Sequence, residues 1–428
     1  LIASPMQRLG SGQHPPAPKQ AQQGVLQMSA QEEISVAIVG MGGYGVAYLR
    51  NLIGPERLEG MRLIAAADPE PARCDLLPEV KRQNIPVYPT LDELLAHTRP
   101  DLVVLSTPPQ LHAEQVIAAL DHGSHVLCEK PIASDPQQVR LMIQARDRAK
   151  KLVAIGYQWS FSSAILDLKR DLIANRFGRP KRFRSSVFWP RGEEYYRRNS
   201  WAGRQRDDQG RLVLDSPVNN ACAHYLHNMF FVLGREIDQS DTPKRVQAEL
   251  YRANRIENYD TAVIRCTTHE GAELLFIASH ATQLSQDPRL KYEFELATIL
   301  YGSDGTHELV ANLHDGSTIK YGEPLDAGTA AKLEDICQAI RLHRPVACGL
   351  EAAASQNTCM FAAQKSMPQI TEFPKSLVVT EGEFGHRITY VRNLEMILNA
   401  CYDSFALPTE LHIDWARPGS MQTIVPRT

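Results

Sequence analysis

The sequence predicts an α/β N-terminal domain built on a doubly wound parallel sheet, followed by an α+β C-terminal domain with a mostly antiparallel open sheet. Three observations predict it. The stretch Ile34–Gly45, ISVAIVGMGGYG, reads as a strand running into Gly40, Gly42 and Gly45 at G-x-G-x-x-G spacing, with the helix-compatible VAYLRNL behind it. From there to about Leu152, strand-like and helix-like segments alternate, which implies parallel strands joined by covering helices. Past residue 245 the strand-like runs follow one another directly, separated by turn residues such as Asp315-Gly316, as in an antiparallel sheet.

Each element has its own reason. Residues 1–30 are rich in Pro, Gln, Gly and Ser without apolar periodicity and are expected to form a disordered leader. The first residue is not Met, no basic stretch precedes an apolar one, and Met28 stands just before the first strand. A processed or appended leader is therefore expected rather than a signal peptide. Over 31–152, Gly40 permits the tight turn, Gly42 lets the backbone approach a pyrophosphate, and Gly45 lets the helix pack on the strand. The amides opening the helix, Gly43 and Tyr44 among them, then face the phosphates, where the helix dipole favours negative charge. Asp68 closes a second apolar run, MRLIAAAD, and is placed to accept hydrogen bonds from ribose hydroxyls and to repel a 2′-phosphate. A bound dinucleotide is expected, NAD in preference to NADP. Strands PVYPT (86–90), DLVVLST (101–107) and HVLCEK (125–130) follow, with helices LDELLAHT and HAEQVIAALDHG between them. Their carboxyl ends carry Ser106, Thr107, Pro108, Pro109, Glu129, Lys130 and Pro131.

The segment 153–375 has another rhythm. A helix over 162–176 leads to KRFRSSVFW, a polar aromatic stretch over 190–215, and a helix from about Asn219 to Leu233 capped by Gly234. RVQAELYRA, TAVIRCTT, AELLFIASHA, KYEFELATILYG, HELVANL and STIKYG read as strands, and 329–342 and 350–365 as helices. The extension 376–428 is expected to pack on both domains, with FPKSLVV extended and ITYVRNLEMILNACYDSF helical.

Composition bounds the function. A formal charge of −3 gives no global attraction to nucleic acid or an anionic membrane, and no apolar run approaches the length of a bilayer span. The eight cysteines form no C-x-x-C, and 428 residues need no disulfide frame, so reduced thiols in a cytoplasmic protein are expected.

Lys130 lies between Glu129 and Pro131 at a strand end, where the nicotinamide half of a dinucleotide would lie. A lysine there is suited to bind a substrate hydroxyl and carry its proton, given burial or nearby positive charge to lower its pKa. The plainer alternative is an exposed strand-end lysine. The order G-x-G-x-x-G, Asp68, Ser106-Thr107-Pro108 with His112, Glu129-Lys130-Pro131, Gly156-Tyr157 and Ala347-Cys348-Gly349-Leu350-Glu351-Ala352 resembles the glucose-fructose oxidoreductase / inositol dehydrogenase / rhizopine-catabolism (Gfo/Idh/MocA) family over about 34–365. The resemblance implies a Rossmann domain with cofactor contacts at Thr107, Pro108, His112, Glu129 and Lys130 beside the glycines. It also implies an antiparallel sheet whose open face forms a homo-oligomer interface, and NAD(P)-dependent chemistry on sugars or polyols.

The family's Asp-x-x-x-His-x-x-Asp helix matches Asn220 to His227 here, so His224 maps onto the catalytic histidine while Asn220 and His227 replace both acids. Asn still orients a hydroxyl but holds no proton. His224 and His227 have a spacing that could ligate a metal, yet no acid or cysteine is in register with them and no metal is expected. Tyr157, Arg191, Tyr196, Trp201 and His227 are the expected substrate contacts; aromatic faces suit sugar C–H faces and arginines suit carboxylate or phosphate, although acids in the same loop leave a solvated charged loop open. Where the family often has Arg, this chain has Ser160. The leading expectation is an oxidoreductase with Lys130 and His224 handling the hydroxyl proton and Asn220 positioning it. The alternatives are a non-catalytic sensor on the same fold, or an enzyme that recycles a tightly held NAD during isomerisation or elimination.

Overall fold

A computed structural model of the protein describes residues 33–303, 305–324 and 328–425, so the leader expected over 1–30 lies outside the described residues. Strands β1 (Ile34–Val39), β2 (Met61–Ala67), β3 (Val87–Tyr88), β4 (Leu102–Leu105), β5 (His125–Cys128) and β6 (Val153–Ile155) form a parallel sheet in the order β3-β2-β1-β4-β5-β6. Helices α1 (Gly45–Ile53), α2 (Leu77–Arg82), α3 (Leu91–His97), α4 (His112–Asp121) and α5 (Pro136–Ala149) make the connections. All four residues of β4 are buried, as an uninterrupted apolar strand must be when both sheet faces are covered. Strand order reverses between β1 and β4, opening a crevice at their carboxyl ends. The sheet runs to Ile155, three residues past the expected boundary at 152.

After α6 (Ser163–Ile173) come β7 (Pro180–Phe188), the short α7 (Glu193–Arg197) and α8 (Ala223–Phe231). Strands β8 (Pro243–Arg252), β9 (Thr261–Thr268), β10 (Glu273–Ser279), β11 (Gln286–Phe294), β12 (Ala297–Tyr301), β13 (Leu309–Leu313) and β14 (Thr318–Gly322) join β7 in one mixed, mostly antiparallel sheet. Next are α9 (Gly328–Leu342), α10 (Leu350–Ser366), β15 (Thr371–Glu372), the hairpin β16 (Val378–Glu381) and β17 (Ile388–Val391), α11 (Leu394–Ser404) and β18 (Gln422–Thr423). Strands β15 and β18 both pair with β8.

Three expected elements are redrawn by local chemistry. KYEFELATILYG is two strands, because Glu295 and Leu296 turn the chain and donate their amides to Arg179 and Phe177. ITYVRNLEMILNACYDSF is β17 plus α11. Its β-branched start pairs with β16, and Asn393, at φ 60°, turns the chain into the helix. The helix expected from Asn219 begins at Ala223. The two asparagines before it spend their side chains on neighbouring groups, Asn219 on Val213 O and Asn220 on Asp215.

The mixed sheet is not open on the face where an interface was expected. Along β10, Leu274, Phe276 and Ala278 enter the main core, while the alternate Leu275 and Ile277 enter a second core with Leu394, Leu398, Cys401 and Trp415. Helix α10 packs on β8 from one side, and α11 packs on β7 and β10. The extension thus buries its apolar stripe on the sheet over β7 and β10.

Candidate active site

The crevice between β1 and β4 holds a cavity of about 890 Å³ lined by Gly40, Gly42, Gly43, Asp68, Thr107 and Pro108, together with Arg73, Thr90, Asp92, Ser106 and Gln115. Gly40 has φ +85°, and a Cβ there would lie 2.6 Å from Ser106 O. At Gly45 a Cβ would collide with Gly40 O, so the turn closes only with glycine at both places. A Cβ at Gly42 would meet nothing within 4 Å, so the backbone there borders open space. Asp68 accepts from Met41 N at 2.7 Å, Gly42 N at 3.4 Å and Glu70 N at 2.8 Å, fixing the glycine turn against the end of β2. An open-backboned glycine turn, a helix start and an acid at the second strand end fit a dinucleotide's phosphates and ribose.

Glu129 and Lys130 follow β5. Glu129 is buried and accepts from Tyr48 Oη at 2.6 Å and Lys332 Nζ at 2.5 Å; the Lys332 side chain, on α9, has no exposure at all. Burial raises the Glu129 carboxyl, but the Lys332 charge and the two hydrogen bonds outweigh it and hold the group below the usual carboxylate range. Lys332 Nζ also reaches Tyr44 Oη at 3.3 Å, which ties the glycine turn to the same group. Tyr44 itself is 47% exposed. A Cβ at Gly156 would lie 2.6 Å from Glu129 Oε1, so that position is closed to larger residues.

His112 is fully buried, with Nδ1 2.7 Å from Pro131 O and Nε2 2.9 Å from Thr107 O. It spans the loops after β4 and β5 and supports the crevice from beneath instead of lining it.

Lys130 is half-buried and donates to Asn220 O at 2.8 Å and Asn220 Oδ1 at 3.3 Å. Asn220 Nδ2 donates onward to Asp215 Oδ1 at 2.8 Å, and Gly203 N donates to Asp215 Oδ2 at 2.6 Å. Lys130 has only donors, which fixes the amide with oxygen toward the lysine and nitrogen toward the aspartate. Both Asp215 oxygens accept N–H groups, the arrangement of a carboxylate. Burial lowers the pKa of Lys130 and raises that of Asp215. The residue before Asp215, Leu214, has φ +51°, an uncommon conformation for a branched side chain that turns the carboxylate under Asn220. Asp215, only 4% exposed, was not singled out in the sequence, where its sole signal is lying five residues before Asn220.

His224 is half-buried at the start of α8, its Nδ1 without a hydrogen-bond partner among the described residues. Burial, then the charges of Lys130 and Lys332, push its pKa well below the usual value, so the imidazole is neutral. Two expected substrate contacts take other roles. His227 is wholly buried, stacked 4.0 Å from Tyr157 and bonded at 2.8 Å to Ser160 Oγ; burial lowers its pKa to about 3. Tyr157 is also wholly buried and donates to Gln356 Oε1 at 2.8 Å. Both are core residues behind His224. Arg191, Tyr196 and Trp201 do share one cluster, on α7 and its flanking loops with Tyr195 and Arg198.

A family model described as "Oxidoreductase family, NAD-binding Rossmann fold" matches residues 34–157. That stretch, which holds the glycine turn and the whole parallel sheet, is similar to the Gfo/Idh/MocA family. Similar curated proteins include an inositol 2-dehydrogenase of Rubrobacter xylanophilus, 31% identical over 154 residues, covering 36% of this chain and 43% of that protein. An uncharacterized oxidoreductase of Schizosaccharomyces pombe is 36% identical over 102 residues, covering 24% and 28%. The matches thus span less than half the length of these relatives. Among solved structures, the WlbA dehydrogenase of Chromobacterium violaceum, in complex with NADH and UDP-GlcNAcA, superimposes with a TM-score of 0.66 at 21% identity, over 85% of this chain and 98% of that one. An oxidoreductase of Agrobacterium radiobacter, in complex with NAD+, L-tartaric acid and magnesium, gives 0.64 at 18% identity, over 79% and 97%. The second half of the chain therefore shares a fold with these proteins as well.

Proposed function

We propose that this protein is an NAD(P)-dependent oxidoreductase acting on a CH–OH group of a sugar, polyol or related hydroxylated compound. The observation that carries the reading is the half-buried Lys130 amine at the end of β5, held by Asn220 beside the dinucleotide-binding crevice. Gly40, Gly42, Gly43, Asp68, Thr107 and Pro108 would hold the dinucleotide, which when bound supplies hydride exchange at its nicotinamide. Lys130 takes the substrate hydroxyl proton, its basicity lowered by burial and by the Lys332 charge. Asn220 fixes the amine's position and passes it the electrostatic influence of Asp215. The neutral His224 imidazole accepts or donates a second hydrogen bond at the hydroxyl.

The sensor alternative rested on the missing acids at 220 and 227. Asp215, one hydrogen bond from Asn220, supports turnover over mere binding. The inositol 2-dehydrogenase relatives support a polyol-like substrate class. NAD is proposed over NADP because a 2′-phosphate beside Asp68 would add like charge at close range. The eight cysteines, all free and buried, support a cytoplasmic protein. A panel of sugars and polyols with NAD, followed at the absorbance of reduced nicotinamide, tests the reading; no turnover across the panel in either direction would overturn it. Asp68→Ala should weaken NAD binding and narrow the gap to NADP, and wild type that binds NADP more tightly would remove Asp68 from this role.

A further inference from the structure

Among the described residues, the loop cluster around α7 contains a guanidinium without a carboxylate partner, that of Arg191. Arg197 pairs with Glu193, Arg204 with Asp208, and Arg211 with Asp207. Arg198 has Asp215 at 3.9 Å. Arg191 has no carboxylate within ion-pair distance among the described residues, and its Nε is buried without a hydrogen-bond partner. Its guanidinium lies 4.8 Å from the Tyr195 ring and 5.8 Å from the Trp189 ring. It borders a cavity of about 420 Å³ lined also by Trp189, Pro190, Gln283 and Ser285. Two further buried polar atoms next to this cluster lack partners, Tyr196 Oη and His280 Nε2. Protein interiors seldom leave such groups unmet, and the unpartnered Arg191 Nε beside this cavity marks where a ligand's polar atoms belong.

The cluster also adjoins the reacting end of the site. Arg198 lies 3.7 Å from the centre of the same Tyr195 ring that Arg191 faces and 3.9 Å from Asp215, the carboxylate that holds Asn220 against the Lys130 amine. Charge decides the ligand's class. Arg198 is offset by Asp215, which leaves about one cationic charge, that of Arg191, to be matched in the cavity. A monoanion with a planar fork matches it, whereas a phosphate dianion would bring one negative charge too many. Trp189, on the cavity wall, offers a face for the apolar side of a ring.

We propose that the substrate is an acidic sugar, a polyhydroxylated ring bearing a carboxylate, and that Arg191 receives the carboxylate while Lys130 meets the reacting hydroxyl. This deepens the dehydrogenase reading and rests on it for the role of Lys130, although the anion subsite is separable from hydride transfer.

The test is titration calorimetry of the protein preincubated with NADH, using two matched pairs, D-glucose with D-glucuronate and D-galactose with D-galacturonate, plus D-glucose 6-phosphate and inorganic phosphate. At least one uronate should bind roughly 10–100-fold more tightly than its neutral partner, the span of one charge-assisted hydrogen-bonded pair. Arg191→Gln should abolish that preference, Arg191→Lys should keep part of it, and Arg197→Gln, a neighbouring paired arginine, should keep all of it. Equal binding of acid and neutral sugar, a preference that survives Arg191→Gln, tighter binding of the phosphates, or no saturable binding of either uronate would each overturn the proposal. Turnover of a neutral polyol with no acid preference would sink the inference and leave the dehydrogenase standing. Arg191-dependent uronate binding without any nicotinamide absorbance change on adding NAD or NADH would do the reverse.

Discussion

At the scale of single residues, the chemistry turns on how three side chains share charge. Lys130→Met should leave dinucleotide affinity intact while lowering turnover by roughly 10²–10⁴, the contribution of one positioned acid/base. Near-wild-type turnover of the variant on its substrate would reduce Lys130 to a structural contact. The groups behind Lys130 give predictions of opposite sign. An anion near an amine favours the ammonium, so Asp215→Asn should lower the pKa of Lys130 and move the alkaline-rising limb of the pH-rate profile toward lower pH. Asn220→Asp places a carboxylate directly on the amine and should move the same limb toward higher pH. Profiles for both variants check this, and shifts of the same sign would exclude the relay. The sequence showed Lys130, His224 and the glycine turn because each sits in a short motif whose spacing carries its geometry. Asp215 was invisible because its role depends on the left-handed Leu214 and on a bond made across Asn220. His227 and Ser160 were each visible as departures from the family pattern, and only the fold shows that the two touch.

At the scale of elements, the parallel sheet was legible almost strand for strand, since period and glycine placement set it locally. What could not be read was how α9 meets it. Thr329, Lys332, Leu333, Ile336 and Cys337 form the buried stripe of α9, so a lysine stands in the register of an apolar seam. That anomaly is the only trace in the sequence of the ion pair with Glu129. Lys332→Met should destabilise the protein by about 3–5 kcal/mol, because it strands a buried carboxylate. Adding Glu129→Gln should recover much of the loss. Urea denaturation of the two single variants and the double variant measures the coupling, and additive losses would mean the pair does not act as a unit.

For the whole molecule, the extension changes what the sheet is for. An antiparallel sheet with helices on one side only would present an apolar face to a partner, which is the association expected from the sequence. Here Leu394, Leu398, Cys401 and Trp415 occupy that face from the same chain. Trp415 meets Tyr251 and Phe373 edge-on, at 4.9 Å each. Leu398→Asp should loosen α11 and expose the face, so that sedimentation at micromolar concentration shows the variant forming larger species than wild type. Unchanged sedimentation together with unchanged thermal stability would mean that α11 covers nothing that needs covering. The extension's role escaped the sequence reading because its stripe is ordinary and its partner strands lie more than a hundred residues earlier.

The Glu129–Lys332 pair has a consequence in time as well as in space. The two residues are 203 positions apart in the chain. At the usual pace of synthesis, ~5–20 residues per second, Glu129 leaves the ribosome roughly 10–40 s before its cation. For most of that interval the residues of the glycine turn and of all six parallel strands have been made, yet the carboxylate at the end of β5 cannot be sealed inside except as the neutral acid. A nascent chain therefore acquires its finished crevice late, when α9 arrives. A fragment cut at the end of the parallel sheet would hold every residue of the glycine turn and still lack the charge that lets β5 close.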